Sequence, residues 1–363
     1  MAISEVYVDH TGGSDSGAGT IGDPYQTLSA AFTNLPSTSN PIRINVKNTS
    51  SSNKMTSLGT LPSGRSTSKQ VIIGPYESAA ADTENLLYLD AGGSDTAWNQ
   101  PNDDALNFNR CHFSNTAGGQ FFDLDNNIHM AFCVFDGCNP EGDSAMIAYF
   151  CSFINQTGDT FKASGNSHML HCFVSGSGET AGTPITTGNL IGNVIYWAGS
   201  RDHLARGLVI GSVIMNNSFI YDNNTHATAD GNGYRMDDEH IVAFNYFENC
   251  NEAIDTENNM EFWIKSPNAF FNNTTNRFTP GSNRVNFSLP ISVSDHNLTA
   301  SGMPNIGSGD VTISNELASL TGNDFSPFPG TSTTYGACYG APYQSAVGTS
   351  GRQGLHGIES GSV

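Results

Sequence analysis

Residues 111–138 read CHFSNTAGGQFFDLDNNIHMAFCVFDGC and hold three of the seven cysteines of this 363-residue chain. In this region a cysteine recurs at steps of 22, 18 and 21 residues, each time followed two positions later by an apolar residue. The recurring cysteines are Cys111, Cys133, Cys151 and Cys172. A repeat of about 20 residues indicates a solenoid in which each repeat forms one coil.

The repeat continues towards the C-terminus with asparagine in place of cysteine. The apolar position recurs at steps of 21, 24, 28 and 23 residues, each time two residues after an asparagine. The apolar residues are Ile195, Phe219, Phe247 and Phe270, and the asparagines are Asn193, Asn217, Asn245 and Asn268. The apolar runs between these positions are short and rich in β-branched and aromatic residues, so they predict strands rather than helices.

The fold prediction follows from how such coils bury apolar surface. One coil cannot bury its own apolar face, whereas stacked coils pair strand on strand about 4.8 Å apart around a shared core. We therefore predict an all-β fold, a right-handed single-stranded parallel β-helix with roughly 20–25 residues per coil. Three parts are expected: a strand and cap at residues 1–40, the β-helix at 41–275, and an irregular interaction region at 276–363.

The cysteine column is interpreted as structural. Cysteine and phenylalanine two residues apart on a strand share a face, and phenylalanine is expected to point inward, so the thiols are predicted to be buried and reduced. Disulfides along the ladder would need Cβ atoms about 3.8 Å apart, closer than neighbouring coils place them. A zinc site is disfavoured because the chain has no CxxC pair. The asparagine column is expected to bond along the ladder and to the backbone.

The N-terminal stretch at residues 5–35 reads EVYVDHTGGSDSGAGTIGDPYQTLSAAFTNL. It resembles the opening of pectate-lyase-like right-handed parallel β-helix proteins. The resemblance implies a first strand at 6–8 and a helix at 24–35 that caps the solenoid. It covers the first 35 residues and, through the coil repeat, extends to about residue 275. Within this group, a phage or viral structural protein, or a tailspike-like one, is the expected member.

Parallel β-helices of this group often carry polysaccharide lyases and glycosidases, so clusters of ionisable residues are candidate sites. The densest is GYRMDDEHIV at residues 233–242, in the longest coil. Asp237 and Asp238 loosely resemble the aspartate pair of polygalacturonase-like enzymes, and Arg235 is of the type that acts as the base in lyases. The Asn-Thr-Asp, His-Gly and Arg-Ile-Lys elements of those enzymes do not follow in order. A solvated charged loop is the alternative interpretation.

No cofactor or metal is expected, although two acidic pairs are weak candidates for binding calcium. Asp123 and Asp125 form one pair, and Asp255 and Glu257 form the other. Residues two apart on a strand share a face, but calcium usually takes six to eight oxygen ligands, so two carboxylates are a weak signal. A polar outer strand face is the alternative.

The net charge and the N-terminal sequence argue against some classes of binding partner. The net charge is −20 with only 14 basic residues, which argues against binding nucleic acid. The start MAISEVYVDH lacks a signal-peptide pattern, and no stretch approaches the roughly 20 apolar residues that span a membrane. We therefore expect synthesis in a reducing cytoplasm and no membrane partner.

The leading functional hypothesis is a virion structural protein, namely a bacteriophage capsid decoration, fibre or tailspike-like protein. It would act in particle assembly or host-surface binding, and an extracellular location is the alternative to the virion. The expected partners are other virion proteins, further copies of the chain in a homotrimer, and a cell-surface glycan. Two alternatives stay open: a polysaccharide lyase or glycoside hydrolase, and a bacterial surface carbohydrate-binding protein. A run of aromatic residues on an outer face would favour carbohydrate binding.

Overall fold

The structure is a computed structural model, and it describes the chain in segments that become shorter towards the C-terminus. The described residues are 3–38, 40–47, 52–60, 70–76, 86–94, 98–100, 106–114, 116–117, 119–124, 127–142, 145–163, 167–177, 183–197, 203–207, 213–215, 218–221, 232–236, 241–243, 246–248, 250–252, 254–256, 263–264, 269–271, 298–300 and 311–313.

The chain divides into two compact units, Met1–Phe153 and Ile154–Val363, here called the N-terminal and C-terminal units. In each unit, strands that follow one another at intervals of about one coil pair in parallel, and three such sheets form the walls. This confirms the prediction of an all-β parallel solenoid. Phe113 pairs with Phe135, 22 residues later, as the cysteine spacing required.

The strands of the N-terminal unit fall into three sheets. The first sheet contains β1 (Ser4–Val8), β2 (Ile42–Lys47), β3 (Val71–Tyr76), β6 (Leu106–Asn109), β9 (Ile128–Ala131) and β12 (Met146–Tyr149). The second contains β4 (Leu87–Asp90), β7 (Cys111–Ser114) and β10 (Val134–Asp136). The third contains β5 (Trp98–Gln100), β8 (Gln120–Leu124) and β11 (Asn139–Gly142).

The C-terminal unit repeats the arrangement, and the boundary between the units falls within β13 (Ser152–Gln156). Its first sheet contains β15 (His168–Leu170), β18 (Asn189–Ile191), β21 (Val213–Met215), β24 (Ile241–Ala243) and β27 (Trp263–Ile264). Its second contains β16 (Phe173–Gly176), β19 (Val194–Trp197), β22 (Ser218–Tyr221), β25 (Tyr246–Glu248), β28 (Ala269–Phe271), β29 (Leu298–Ala300) and β30 (Val311–Ile313). Its third contains β14 (Phe161–Ala163), β17 (Ile185–Thr187), β20 (His203–Gly207), β23 (Asn232–Met236) and β26 (Ile254–Thr256).

The N-terminal strand is confirmed, but the helix is shorter than the predicted 24–35. Helix α1 spans Leu28–Thr33, and the Thr27 side chain accepts a hydrogen bond from the backbone N–H of Ala30, which caps the helix. The helix cannot start earlier because Tyr25 forms a parallel bridge with Val8 and is extended. The residues of α1 that pack inward are Leu28, Ala31 and Phe32.

An ion pair fixes the loop that leads from β1 towards α1. Lys47 Nζ lies 2.8 Å from the Asp9 carboxylate, which also accepts hydrogen bonds from the backbone of Thr11 and Gly12. Burial alone would raise the pKa of Asp9, but these hydrogen bonds outweigh it and hold the pKa at about 2. The same contact raises the pKa of Lys47. Asp9 and Lys47 are therefore both charged at neutral pH.

The interior of the N-terminal unit is a stack of aromatic rings. Phe113, Phe135 and Phe153 are fully buried, with ring centroids 4.7 and 5.0 Å apart and interplanar angles of 19° and 8°. Trp98 and Phe122 are also buried, and the ring centroid of Phe122 lies 5.8 Å from that of Phe113. One phenylalanine per coil in register therefore builds a continuous core, which an isolated coil could not do.

The cysteine column is buried and free of disulfides among the described residues, as predicted. Each thiol also has a polar role: Cys133 Sγ lies 3.4 Å from the carbonyl of Ala131, and Cys151 Sγ lies 3.5 Å from that of Tyr149. Burial raises the pKa of the Cys133 thiol well above its ordinary value. The thiols are therefore small hydrophobic groups that also bond a carbonyl at the turn.

Asparagine takes over this role in the C-terminal unit. Asn193 is fully buried; its amide donates to the carbonyl of Met169 at 3.0 Å and its oxygen accepts from the backbone N–H of Cys172 at 2.7 Å. The prediction that the asparagine column bonds to the backbone is confirmed at this position. The other three asparagines, at 217, 245 and 268, lie outside the described residues.

Candidate functional site

A column of large side chains lies directly before the cysteine column. Arg110, Phe132 and Phe150 each precede a cysteine and have φ angles of 55°, 56° and 51°. Left-handed backbone is uncommon for residues other than glycine, asparagine and aspartate, and bulky residues there are outliers. The turn between the first and second sheets of the N-terminal unit therefore holds three bulky residues at an energetic cost.

Two of these residues form an exposed aromatic cluster with a neighbour. The rings of Phe132 and Phe150 stack with centroids 5.6 Å apart and an interplanar angle of 9°. Tyr149 packs edge-on against Phe150 at 4.2 Å. Phe132 is 44% exposed and Tyr149 41%, although large aromatic side chains are usually buried. Phe132, Tyr149 and Phe150 are called the aromatic patch below.

A row of polar side chains lies at the other end of the second-sheet strands. Ser114 on β7 is in register with Asp90 on β4 and Asp136 on β10. Lys54 Nζ lies 2.9 Å from Ser114 Oγ and 3.6 Å from the Asp90 carboxylate. His112 Nε2 lies 3.8 Å from the Asp136 carboxylate, an ion pair when the imidazole is protonated. These five residues are called the polar row.

The aromatic patch and the polar row are connected through β10 alone, because Tyr149 ends β12 of the first sheet and Phe150 lies in the turn before β13. Phe132 precedes Cys133 and β10, and Asp136 ends β10, so the two positions are about 13 Å apart along the strand. Side chains alternate between the two faces: Phe135 is fully buried, whereas 35% of the Asp136 side chain is exposed. Exposed aromatic rings therefore lie at the turn before β10 and the partly exposed Asp136 carboxylate at its end, whereas Ser114 in the polar row is buried.

The predicted catalytic cluster is only partly described. Asp237 and Asp238 lie outside the described residues, and Arg235 lies on β23. Arg235 is in register with Arg206 on β20 and with Asp255 on β26. The fold therefore brings Arg235 beside Asp255, one of the predicted calcium residues, although the sequence analysis had placed the two in separate clusters.

The predicted calcium residues are likewise only partly described by the structure. Asp123 lies half-buried on β8, in register with Asn99 on β5 and Glu141 on β11. Asp125 and Glu257 lie outside the described residues. Among the residues that the structure describes, no group of three or more histidine, cysteine, aspartate or glutamate side chains is placed to hold a metal ion.

Neither part of this face was found in the sequence analysis. The aromatic patch was missed because left-handed turns are expected at glycine and asparagine rather than at arginine or phenylalanine. A signal was present, since a large residue stands immediately before each cysteine of the column. The polar row had no local signal, because Lys54 is 60 residues from Ser114 and precedes the cysteine repeat.

Comparisons with known proteins add little to this geometry. No family model matches the chain, and no curated protein matches it either. Among solved structures, a rhamnogalacturonan lyase aligns with 74% of this chain and 73% of its own, at 12% sequence identity and a TM-score of 0.30. A likeness at that level carries no information about activity. No helix among the described residues is long and apolar enough to cross a membrane.

Proposed function

We propose that this β-helix binds a glycan on the outer face of the second sheet of the N-terminal unit. The observation that carries the proposal is the exposed aromatic patch, whose Phe132 immediately precedes the strand segment that ends at Asp136 of the polar row. Sugar rings have an apolar face of C–H groups that packs on aromatic rings, and hydroxyl groups around the rim that bond to carboxylates and amines. Exposed aromatic side chains beside such hydrogen-bonding groups match both features.

The backbone at the patch supports a role in binding rather than in folding. Left-handed conformation costs a residue other than glycine about 1–2 kcal/mol, and strain of this kind clusters at binding and active sites. Folding would be better served by glycine at Phe132 and Phe150. Exposure of an aromatic cluster to water is a second cost that a ligand would recover. A protein partner is less well matched, because the polar row that follows along β10 is charged.

Glycan binding suits the host-surface role within the virion hypothesis and also the bacterial surface hypothesis. The virion or extracellular location, the homotrimer and the contacts with other virion proteins stay proposals. Attachment was expected to depend on the C-terminal extension, of which the structure describes only β29 and β30. A calcium cofactor also stays a proposal.

The test is direct binding of the full chain to a panel of neutral and acidic polysaccharides, measured by affinity electrophoresis and calorimetry. We expect at least one polysaccharide to bind, and the double variant Phe132→Ala/Tyr149→Ala to lose about tenfold in affinity. Each aromatic contact is worth about 0.5–1.5 kcal/mol, and 1.4 kcal/mol is a factor of ten.

Ile21→Ala is the matched control, because Ile21 is an exposed apolar residue in the cap, 67% accessible and far along the chain from the patch. It should bind as the wild type does. A wild-type chain that binds no polysaccharide in the panel, or a double variant that binds normally, would rule the proposal out.

Glycan cleavage is a second candidate, favoured by the spacing of Asp90 and Asp136. They lie on β4 and β10 with β7 between, so their Cα atoms are about 9.6 Å apart. Inverting glycosidases hold their carboxyl groups, rather than their Cα atoms, about 6.5–9.5 Å apart, a separation that the two side chains can reach from these Cα positions. If the chain cleaves the glycan that it binds, Asp136→Asn should abolish the release of reducing ends and leave binding intact. Release that persists in Asp136→Asn and in Asp90→Asn would exclude this pair.

A further inference from the structure

Arg110 occupies the coil position next to Phe132 in the left-handed column. The backbone N–H of Arg110 bonds the carbonyl of Ala131 at 2.9 Å, and that of Phe132 bonds the carbonyl of Tyr149 at 3.0 Å, so the three turns stack in register. Neighbouring coils are about 4.8 Å apart. The Arg110 side chain is exposed, and a cation therefore stands one coil from the exposed ring of Phe132.

Arg110 differs from three lysines of the described chain, each of which forms an ion pair. Lys47, Lys54 and Lys162 lie 2.8, 3.6 and 3.7 Å from carboxylates. Within the described residues, no side-chain hydrogen bond or ion pair engages the guanidinium of Arg110. Arg43 is likewise exposed and forms no ion pair within the described residues, so what distinguishes Arg110 is its position beside the aromatic patch.

We infer that Arg110 reads an anionic group on the glycan, so that the ligand is an acidic polysaccharide carrying carboxylate or sulfate groups. This inference rests on the proposed function, since it places the sugar ring on the aromatic patch. The guanidinium is a planar fork that bonds a carboxylate or a sulfate through two N–H groups. With a net charge of −20 the protein repels anionic polymers at long range, so selection of an acidic glycan requires a local cation at the binding face.

The strained backbone of Arg110 is the second observation in favour of this role. Its φ of 55° costs as much as that of the neighbouring phenylalanines, and an exposed arginine gains no burial in return. The shared conformation places Arg110, Phe132 and Phe150 at equivalent positions of consecutive coils. A polymer lying across the coils would meet a cation and then two rings.

The experiment compares polygalacturonate with its fully methyl-esterified form, which keeps the sugar and removes the charge. Dextran sulfate and dextran form a second pair that separates sulfate from carboxylate recognition. We expect the wild type to bind the charged member of at least one pair more tightly. Arg110→Gln should lower the affinity for that member about fivefold and leave the neutral member unchanged, as expected for a single exposed ion pair.

Arg43→Gln is the matched control, because Arg43 is also exposed and its loss changes the net charge equally. Arg43 lies on β2 beside Glu5, away from the left-handed column, and its variant should keep the wild-type preference. Equal effects of the two variants would show that only net charge matters and would overturn the inference. So would a wild type that binds both members of each pair equally through the aromatic patch, a result that leaves the proposed function standing. A wild type that binds none of these four polymers but binds a neutral polysaccharide of the wider panel would also overturn the inference, whereas binding of no polysaccharide in either set would refute the proposed function.

Discussion

Phe132 and Cys133 are consecutive residues with opposite environments, and the contrast separates folding from binding in this molecule. Cys133 is 1% exposed and bonds a turn carbonyl, whereas Phe132 is 44% exposed in a left-handed conformation. The small residue of the pair is in the core and the large one is in water. Hydrophobicity and size alone would have placed them the other way round.

The corresponding turn of the C-terminal unit shows what the turn itself needs. There the left-handed residues are His171 and Gly192, with φ angles of 53° and 71°. A Cβ atom at Gly192 would lie 2.4 Å from the ring of His171, so glycine is required there by space as well as by conformation. Since histidine closes this turn in one coil and glycine in the next, the turn needs the left-handed conformation but does not need a phenylalanine.

The largest expected effect on stability is that of a substitution in the buried core. Phe135 is fully buried between Phe113 and Phe153, and Phe135→Ala should lower the free energy of unfolding by about 3–5 kcal/mol through lost burial and a cavity. Denaturant unfolding measures this. Phe132→Ala, three residues earlier and exposed, should cost less than about 1 kcal/mol. Equal losses for both variants would contradict the division between core and surface.

The next effect concerns the cap, where charge rather than apolar burial holds the chain. The pKa of Asp9 is about 2 in the folded state against about 3.9 when unfolded, so its contribution is complete above about pH 5. It is lost as the pH falls through 4 towards 2. Asp9→Asn should lower the free energy of unfolding by up to about 2 kcal/mol at neutral pH. It should also reduce the loss of stability that the wild type shows as the pH falls towards 2.

Asp159→Asn provides the control for the cap. Asp159 pairs with Lys162 at 3.7 Å, but both side chains are nearly half exposed, so the loss should be below about 0.5 kcal/mol. The free energy of unfolding of both variants should be measured from pH 7 to pH 2. An Asp9→Asn protein with an unchanged acid limb would show that the ion pair does not stabilise the cap.

The fold could be predicted from the sequence because equivalent positions of successive coils carry the same residue types. One phenylalanine and one cysteine per coil reveal both the period and the inward face, and the structure confirms both. The helix was predicted too long because nothing local shows that Tyr25 bridges to Val8. The polar row could not be predicted, because Lys54 reaches Asp90 and Ser114 only after the coils stack.

A smaller effect is expected for the cysteines themselves. Cys133→Ala removes one buried sulfur and its contact with a carbonyl, and should cost about 1 kcal/mol. Because these thiols are buried, the native protein should react with thiol reagents slowly at Cys111, Cys133, Cys151 and Cys172, and rapidly after denaturation. Rapid labelling of these residues in the native state, or disulfides among them, would be inconsistent with the buried column.

The smallest expected change in stability gives the most direct test of the central claim, that Phe132 is held in a strained, exposed position for binding. Phe132→Gly relieves about 1–2 kcal/mol of backbone strain and loses about 0.5–1.5 kcal/mol of stacking on Phe150. Unfolding free energy and polysaccharide affinity should therefore be measured on the same sample of this variant. The account predicts stability within about 1 kcal/mol of the wild type and clearly weaker glycan binding. A variant that unfolds as easily as Phe135→Ala and still binds the glycan fully would contradict it.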